Sequence, residues 1–289
     1  MDRFKNVLLF AGFGCFLFSV LLSALYPWMI TDARRAEATI REVASPVSPD
    51  FKLLKDAYPV EFVAAFRNAE RALTDREIAL GKPDAAARAA SDEAWVDAYT
   101  DALRRGRNQY ISEACWHCHS QFVRPVANES VRFGKVRRPE HDNNALQRPV
   151  LWGTRRVGPD LTHEGGRHSN DWHVAHFANP RSVTPGSVMP TYKWFFRTGF
   201  VVARTIDPEV AEREGLDPKR AYNLPGLYGT KQEAEAALER VKSKLPSALE
   251  AEADRLFIRE GRGPNATGLS VIAYLQWLGT WEPKAETAQ

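Results

Sequence analysis

The chain has 289 residues, enough for one or two domains with a full hydrophobic core. Its formal charge is +3, and it has no long Lys/Arg run and no Gly-rich phosphate loop, which leaves no case for a nucleic-acid partner. Only three cysteines occur, Cys15, Cys115 and Cys118, and the last two form a single C-x-x-C unit, so a disulfide framework is excluded.

The first element is a stretch without charge, residues 7–30. At about 1.5 Å per residue it makes a helix of roughly 36 Å, against a bilayer core of about 30 Å. A cleaved signal peptide would have an apolar region of only about 7–15 residues ending in small residues. This one is longer and ends in Tyr26-Pro27-Trp28, like an interfacial aromatic belt, so we read an uncleaved transmembrane anchor. Cys15 lies inside it as an inert thiol, and the preceding Gly12-Phe13-Gly14 lacks the Leu of a lipoprotein cleavage site. Arg3 and Lys5 before the span and Arg34 and Arg35 after it leave the charge rule undecided about orientation.

A short linker follows, Ser45-Pro46-Val47-Ser48-Pro49. Helices are predicted over residues 60–80, with Phe62, Phe66, Ala69 and Leu73 at helical spacing, and over 85–105, separated by Gly81-Lys82-Pro83. Residues 108–192 read as mostly loop, rich in Gly, Pro, Asn and Arg, with one short helix over 170–177. A loop this long inside a compact domain implies functional loops or a cofactor that organises them. Further helices are predicted over 231–244, over 247–259 after a break at Pro246, and over 268–278. Alternating strand patterns are almost lacking, so the expected class is all-α. The expected domains are an anchor (1–30), a linker with a helical extension (31–105) and a loop-rich domain around the C-x-x-C unit (106–289).

Cys115-Trp116-His117-Cys118-His119 is C-x-x-C-H, the attachment signature of c-type haem. Two thiols one turn apart can add to the two vinyl groups of one porphyrin edge, and His119 then supplies the iron's first axial nitrogen. His117 should point away as an ordinary exposed histidine. A zinc half-site would need a second Cys/His pair, and a thioredoxin-like pair would need a strand before it, where the residues here are helical. One covalently bound haem c is therefore the expected cofactor.

Electron-transfer haems commonly take Met as second axial ligand, which raises the potential. Met1 is the start and Met29 sits at the membrane edge, which leaves Met189, followed by the backbone-fixing Pro190. A histidine, His163, His168, His173 or His176, is the rival ligand. His173 and His176 are spaced i, i+3 with His168 near, but no compelling third ligand makes them a zinc or copper site, and we read them as structural. Between Arg124 and Arg167 nine Lys/Arg stand against five Asp/Glu. These arginines, Arg155 among them, are candidates to pair with haem propionates or to form a docking face for an acidic partner.

The run His119-Ser120-Gln121 with Arg124-Pro125 resembles the mono-haem subunit II (FixO/CcoO type) of cbb3-type cytochrome c oxidases. So do residues 152–161 (Trp-Gly-Thr-Arg-Arg-Val-Gly-Pro-Asp-Leu), Gly165-Gly166-Arg167, Trp172-His173, His176, Asn179-Pro180-Arg181, residues 189–194 (Met-Pro-Thr-Tyr-Lys-Trp) and the last helix with Ala273-Tyr274-Leu275-Gln276 and Leu278-Gly279. The resemblance covers about residues 106–196 and 265–280. In class I cytochromes a Gly-Pro-x-Leu stretch packs beside the haem histidine, and a Pro carbonyl there accepts the imidazole N–H, which makes Pro159 the candidate for that role. The resemblance implies a single anchor in a bacterial inner membrane, the amino terminus inside and a class I cytochrome c-like domain with long haem-wrapping loops on the periplasmic side. It also implies a non-catalytic subunit that carries electrons to a haem–copper catalytic subunit, with a further cytochrome c subunit as a candidate partner. A nitric oxide reductase-type complex uses a similar anchored subunit and is the alternative. A haem-based sensor or catalyst, with an exchangeable iron position, is the alternative of a different class.

Overall fold

A computed structural model describes residues 2–32, 37–126, 128–137, 139–213, 215, 217, 221–245 and 253–282. Helix α1 (Asp2–Val20), a π-helical turn at Leu21–Leu25 and helix α2 (Tyr26–Asp32) form one continuous rod. Its stretch Arg3–Met29 is 27 residues long and apolar enough to cross a membrane, and none of its apolar window is buried. Phe10, Phe13, Phe16 and Phe18 all face outward, the reverse of a globular helix, which fits a lipid-facing anchor.

The segment after the anchor is tied to the rest of the molecule. The Ala38 N–H donates to the Asn143 carbonyl (3.1 Å), and the Ala145 N–H donates to the Ala38 carbonyl (3.0 Å). Thr39 caps α3 (Ile40–Val43) in a reciprocal box with Glu42, and the Trp277 indole donates to the Val43 carbonyl. Pro49 and Pro59 open α4 (Pro49–Ala57) and α5 (Pro59–Ala65), where a missing N–H costs nothing. Phe51, Phe62 and Phe66 pack with Trp95 and Tyr99 into one aromatic core.

The single helix expected over 60–80 is two. Phe66 leaves the helix in an extended conformation, and Asn68 takes a left-handed φ of 57°, as Asn tolerates. That reversal buries Ala69 and Ala72 in the same core without a continuous helix. Thr74 then caps α6 (Asp75–Gly81) with Glu77.

Helix α7 (Ala85–Ser112), capped by Asp84, runs without a break past residue 105 to the cysteine motif. The predicted loop region carries more helix than the expected 170–177 segment: α8 (Cys115–Cys118), α9 (Glu129–Phe133), α10 (Asn170–Ala178) and α11 (Pro180–Val183). A second correction concerns the all-α class, because a three-stranded antiparallel sheet is present, ordered β2-β1-β3 from β1 (Phe196–Arg204), β2 (Tyr222–Asn223) and β3 (Leu256–Pro264). Helix α12 (Pro208–Arg213) follows β1, and α13 (Lys231–Lys242) packs on β1 and β3 through buried Ala234 and Ala237. The helix expected over 247–259 lies partly outside the described residues, and its end, from Leu256, belongs to β3.

The last helix, α14 (Ala266–Trp277), is buried at every residue from Gly268 to Trp277. It crosses α7 at Gly106, where a Cβ would stand 2.1 Å from the Ser270 carbonyl oxygen, so only glycine admits that approach. The crossing holds the start of the cysteine motif against the centre of the core.

Candidate haem site

α7 delivers the motif through one strained residue. Glu113 ends the helix, and Ala114 turns the chain at a φ of 56°, left-handed for a residue with a Cβ. Cys115 and Cys118 then lie at the two ends of the single turn α8, Cys115 buried and Cys118 exposed. Burial pushes the Cys115 thiol up to about 11, against the Tyr192 hydroxyl, which hydrogen-bonds to it. His117 is exposed, with its Nδ1 3.1 Å from the Thr154 hydroxyl.

His119 is held on every side. Its Nδ1–H donates to the Pro159 carbonyl at 2.9 Å, which leaves Nε2 as the nitrogen able to ligate. Its N–H donates to the Cys115 carbonyl, and its own carbonyl accepts from the Tyr110 hydroxyl at 3.2 Å. Burial keeps the imidazole below its ordinary range, against the Pro159 bond and the Asp160 charge, which raise it, so the ring is neutral at physiological pH as a metal ligand requires. At Gly158 an added Cβ would come 2.3 Å from His119 Cε1. This is a cradle that any side chain would fill.

The segments around His119 and Pro159 are stitched together by backbone bonds. The Arg155, Gly158 and Leu161 N–H groups donate to the carbonyls of His117, Cys118 and Ser120. Behind them lies a polar cluster. Asp160 is fully buried and accepts from the Ser120 hydroxyl and from the N–H groups of Phe122 and Thr162, each of the latter at 2.9 Å. Arg156 donates to the Ser120 hydroxyl (2.6 Å) and the Phe122 carbonyl (2.8 Å), pairs with Glu129, and stands 3.4 Å from Asp160.

Met189 lies in the extended stretch between α11 and Tyr192, partly buried against the core between exposed Val188 and Pro190. Its N–H donates to the Ser187 hydroxyl at 3.2 Å. Arg155 is exposed. Three of the rival histidines belong to a second cluster. The His168 Nδ1 is 2.6 Å from the Glu164 carboxylate, and the His173 Nε2 is 3.8 Å from it. Trp172 stacks between the rings of His168 and His176 at centroid distances of 3.8 and 4.5 Å. Burial takes His173 down to about 3 and His176 down to about 4, with the neighbouring histidines adding to both. The fourth, His163, has its Nε2 bonded to the Lys135 carbonyl at 2.8 Å. Among the described residues, no three His, Cys, Asp or Glu converge to hold a bare metal ion.

The residues present fit a haem. Two thiols stand one turn apart, a neutral imidazole offers Nε2, and Gly158 clears the ring's flank. The buried His173 Nε2 and His176 Nδ1 have no hydrogen-bond partner within the described chain. Such orphaned nitrogens are what a propionate-bearing group could satisfy.

Reading the residues one at a time finds Cys115, Cys118, His119 and Pro159, all of which meet here. It misses Gly158, Asp160, Arg156, Ser120 and Tyr110. The first four stand within the quoted motif runs, and nothing in their spacing discloses that they interlock.

The sequence pattern of a known family, described as cytochrome c oxidase, mono-heme subunit/FixO, matches residues 83–281. That match takes in the whole of α7 and the whole sheet, well beyond the two stretches on which the resemblance rests. No curated protein sequence matches the chain.

Proposed function

The chain belongs to the FixO family of mono-haem cytochrome c oxidase subunits, and on that premise we propose that it is the anchored electron carrier of a cbb3-type oxidase. In this reading Cys115 and Cys118 would attach one haem c, His119 and Met189 would ligate its iron, and Arg155 would pair with a propionate. The protein passes electrons to a haem–copper catalytic subunit, in a complex with room for a further cytochrome c subunit, and does not itself reduce oxygen. The anchor sits in a bacterial inner membrane with the cytochrome domain on the periplasmic side.

The observation that carries the reading is His119, a neutral imidazole with its Nδ1 fixed by Pro159, presented directly after two thiols on one helical turn. Haem, when bound, supplies a one-electron couple. The chain's own work is to hold the ligands still. Pro159 fixes the imidazole, Tyr110 holds the His119 backbone carbonyl, α7 leads directly into the turn, and no proton has to move at His119 when charge changes. An exposed face with Arg124, Arg132, Lys135, Arg155 and the apolar Val126, Val131 and Trp152 suits docking to an acidic protein surface. The oxidase family match favours oxygen over nitric oxide as terminal acceptor.

The test is the full chain expressed in its membrane, solubilised in mild detergent. Haem should survive denaturation, and replacing Cys115 and Cys118 by Ala should release it entirely. A haem–copper subunit should co-purify, with copper in its active site. A colourless chain, or haem retained without the two thiols, would overturn the attachment. Iron in place of copper would move the chain to the nitric oxide reductase alternative. Rapid carbon monoxide binding to the reduced chain without denaturant would move it to a sensor.

A further inference from the structure

We propose that Asp160 and Arg156 form an opposed charge pair that positions the haem ligand and sets the iron's reduction potential. Asp160 supplies the negative field and Arg156 the counter-field. The inference deepens the haem reading above and rests on it.

Asp160 follows Pro159, the residue whose carbonyl holds His119. Its side chain has no exposure, and that of Arg156 is only 10 % exposed. A buried carboxylate is costly unless it is fully hydrogen-bonded, and this one is. One oxygen accepts the Thr162 N–H, and the other accepts the Phe122 N–H and the Ser120 hydroxyl. Its donors flank both sides of the haem-ligand contact. Ser120 and Phe122 follow His119, and Thr162 follows Pro159. The carboxylate therefore pins the two segments whose approach brings the imidazole within 2.9 Å of the Pro159 carbonyl.

The Ser120 hydroxyl joins the two charges, since it accepts from the Arg156 guanidinium and donates to Asp160. Arg156 is itself held at an unusual backbone position, a φ of 50°, and is clamped by Glu129 and the Phe122 carbonyl. A side chain kept in left-handed backbone and paired on three sides is locked. Both charges are thus fixed in a low-dielectric shell directly behind the ligand, where Coulomb interactions are weakly screened. Reduction adds an electron at the iron. A fixed anion opposes it and a fixed cation favours it.

The test is equilibrium redox titration of the detergent-solubilised full chain carrying haem, with the unfolding midpoint measured alongside. Asp160→Asn should raise the potential, and Arg156→Gln should lower it. Arg156→Lys keeps the charge and should stay near the parent. The variants therefore diverge in potential even though all of them lower the unfolding midpoint. A purely structural role would give lower midpoints with unshifted potentials, or shifts of one sign, and either result would overturn the proposal. If Asp160→Asn fails to load haem, the Arg156→Gln and Arg156→Lys pair still decides. A parent chain that carries no haem would instead defeat the underlying haem reading, which the parent's own spectrum reports separately.

Discussion

The two sides of the proposed haem site are built differently. On the His119 side nearly every polar group is spoken for. The imidazole, its backbone and the Pro159 loop are bonded to one another and to a buried charge cluster. On the Met189 side the chain is extended, Val188 and Pro190 are exposed, and the bond nearest the ligand is from its own N–H to Ser187. The first side is a frame complete in the protein itself. The second is a strap tied at its ends, at the Ser187 N–H to Thr184 and the Tyr192 N–H to Phe177, both at 2.9 Å. The contrast teaches that the proposed ligand His119 is preorganised by the fold, whereas Met189 would gain its place from the bond it makes. Damage to the frame should abolish assembly, and damage to the strap should retune a cofactor that remains attached.

The largest effect should come from Gly158→Ala. The new Cβ would sit 2.3 Å from His119 Cε1 and 2.7 Å from Nδ1, and the neighbour it meets is a ring already bonded to Pro159. The ring cannot yield without breaking that bond, so the cost should reach the upper part of the 1–3 kcal/mol usual for overpacking, about 3 kcal/mol. Haem content per chain should fall steeply. A fully loaded Gly158→Ala protein with the parent spectrum would break the comparison at its strongest point.

Met189→Ala tests the other side. Haem should remain covalently attached, because the thiols and His119 are untouched. The potential should fall by more than the roughly 59 mV that corresponds to a tenfold change for one electron. Carbon monoxide should then bind the reduced iron readily. An unchanged potential would remove Met189 from the ligand set and direct attention to His176, whose Nδ1 is buried without a partner among the described residues.

The same asymmetry explains what could be read from sequence. The cysteine motif and the long α7 and α14 were legible because their signals are local, a fixed spacing in one case and helical runs of apolar residues in the others. The sheet was not. In β1, Phe200 to Ala203 is nearly continuous burial, because α13 covers the sheet and the Leu227–Tyr228 segment bonds back on Phe200, so the apolar and polar residues do not alternate. In β3, residues 256–259 read as the end of a helix and Glu260, Gly261, Arg262 and Gly263 fall between two predicted helices, yet Val201 packs where a side chain on Gly261 would stand. The break after Ala65 was hidden for a similar reason: Phe62, Phe66 and Ala69 keep helical spacing while the chain between them turns at Asn68. The charge cluster behind His119 was illegible in a third way. Ser120, Arg156 and Asp160 join positions 36 and 40 apart, and no local pattern records such pairings.

The smallest effect sharpens the boundary of the frame. Behind His119, the Tyr274 hydroxyl on α14 donates to the Gln121 amide oxygen at 2.9 Å in a fully buried setting, and the Tyr110 and Tyr274 rings meet edge-on at 5.6 Å. Tyr274→Phe removes one donor and leaves a buried acceptor, a change worth about 1–3 kcal/mol. The phenyl ring and its edge-on contact with Tyr110 are kept, so the lower end, about 1 kcal/mol, is expected. For a domain of this size that corresponds to about 2–4 °C in the unfolding midpoint. The reduction potential should stay where it is, because no charge is lost and the Pro159–His119 bond is not touched. Thermal unfolding and redox titration of one sample measure both. If the potential moved as far as it does in Asp160→Asn, the ligand would be sensing packing on α14 as strongly as buried charge, and the frame would have to be extended to the whole α7–α14 crossing.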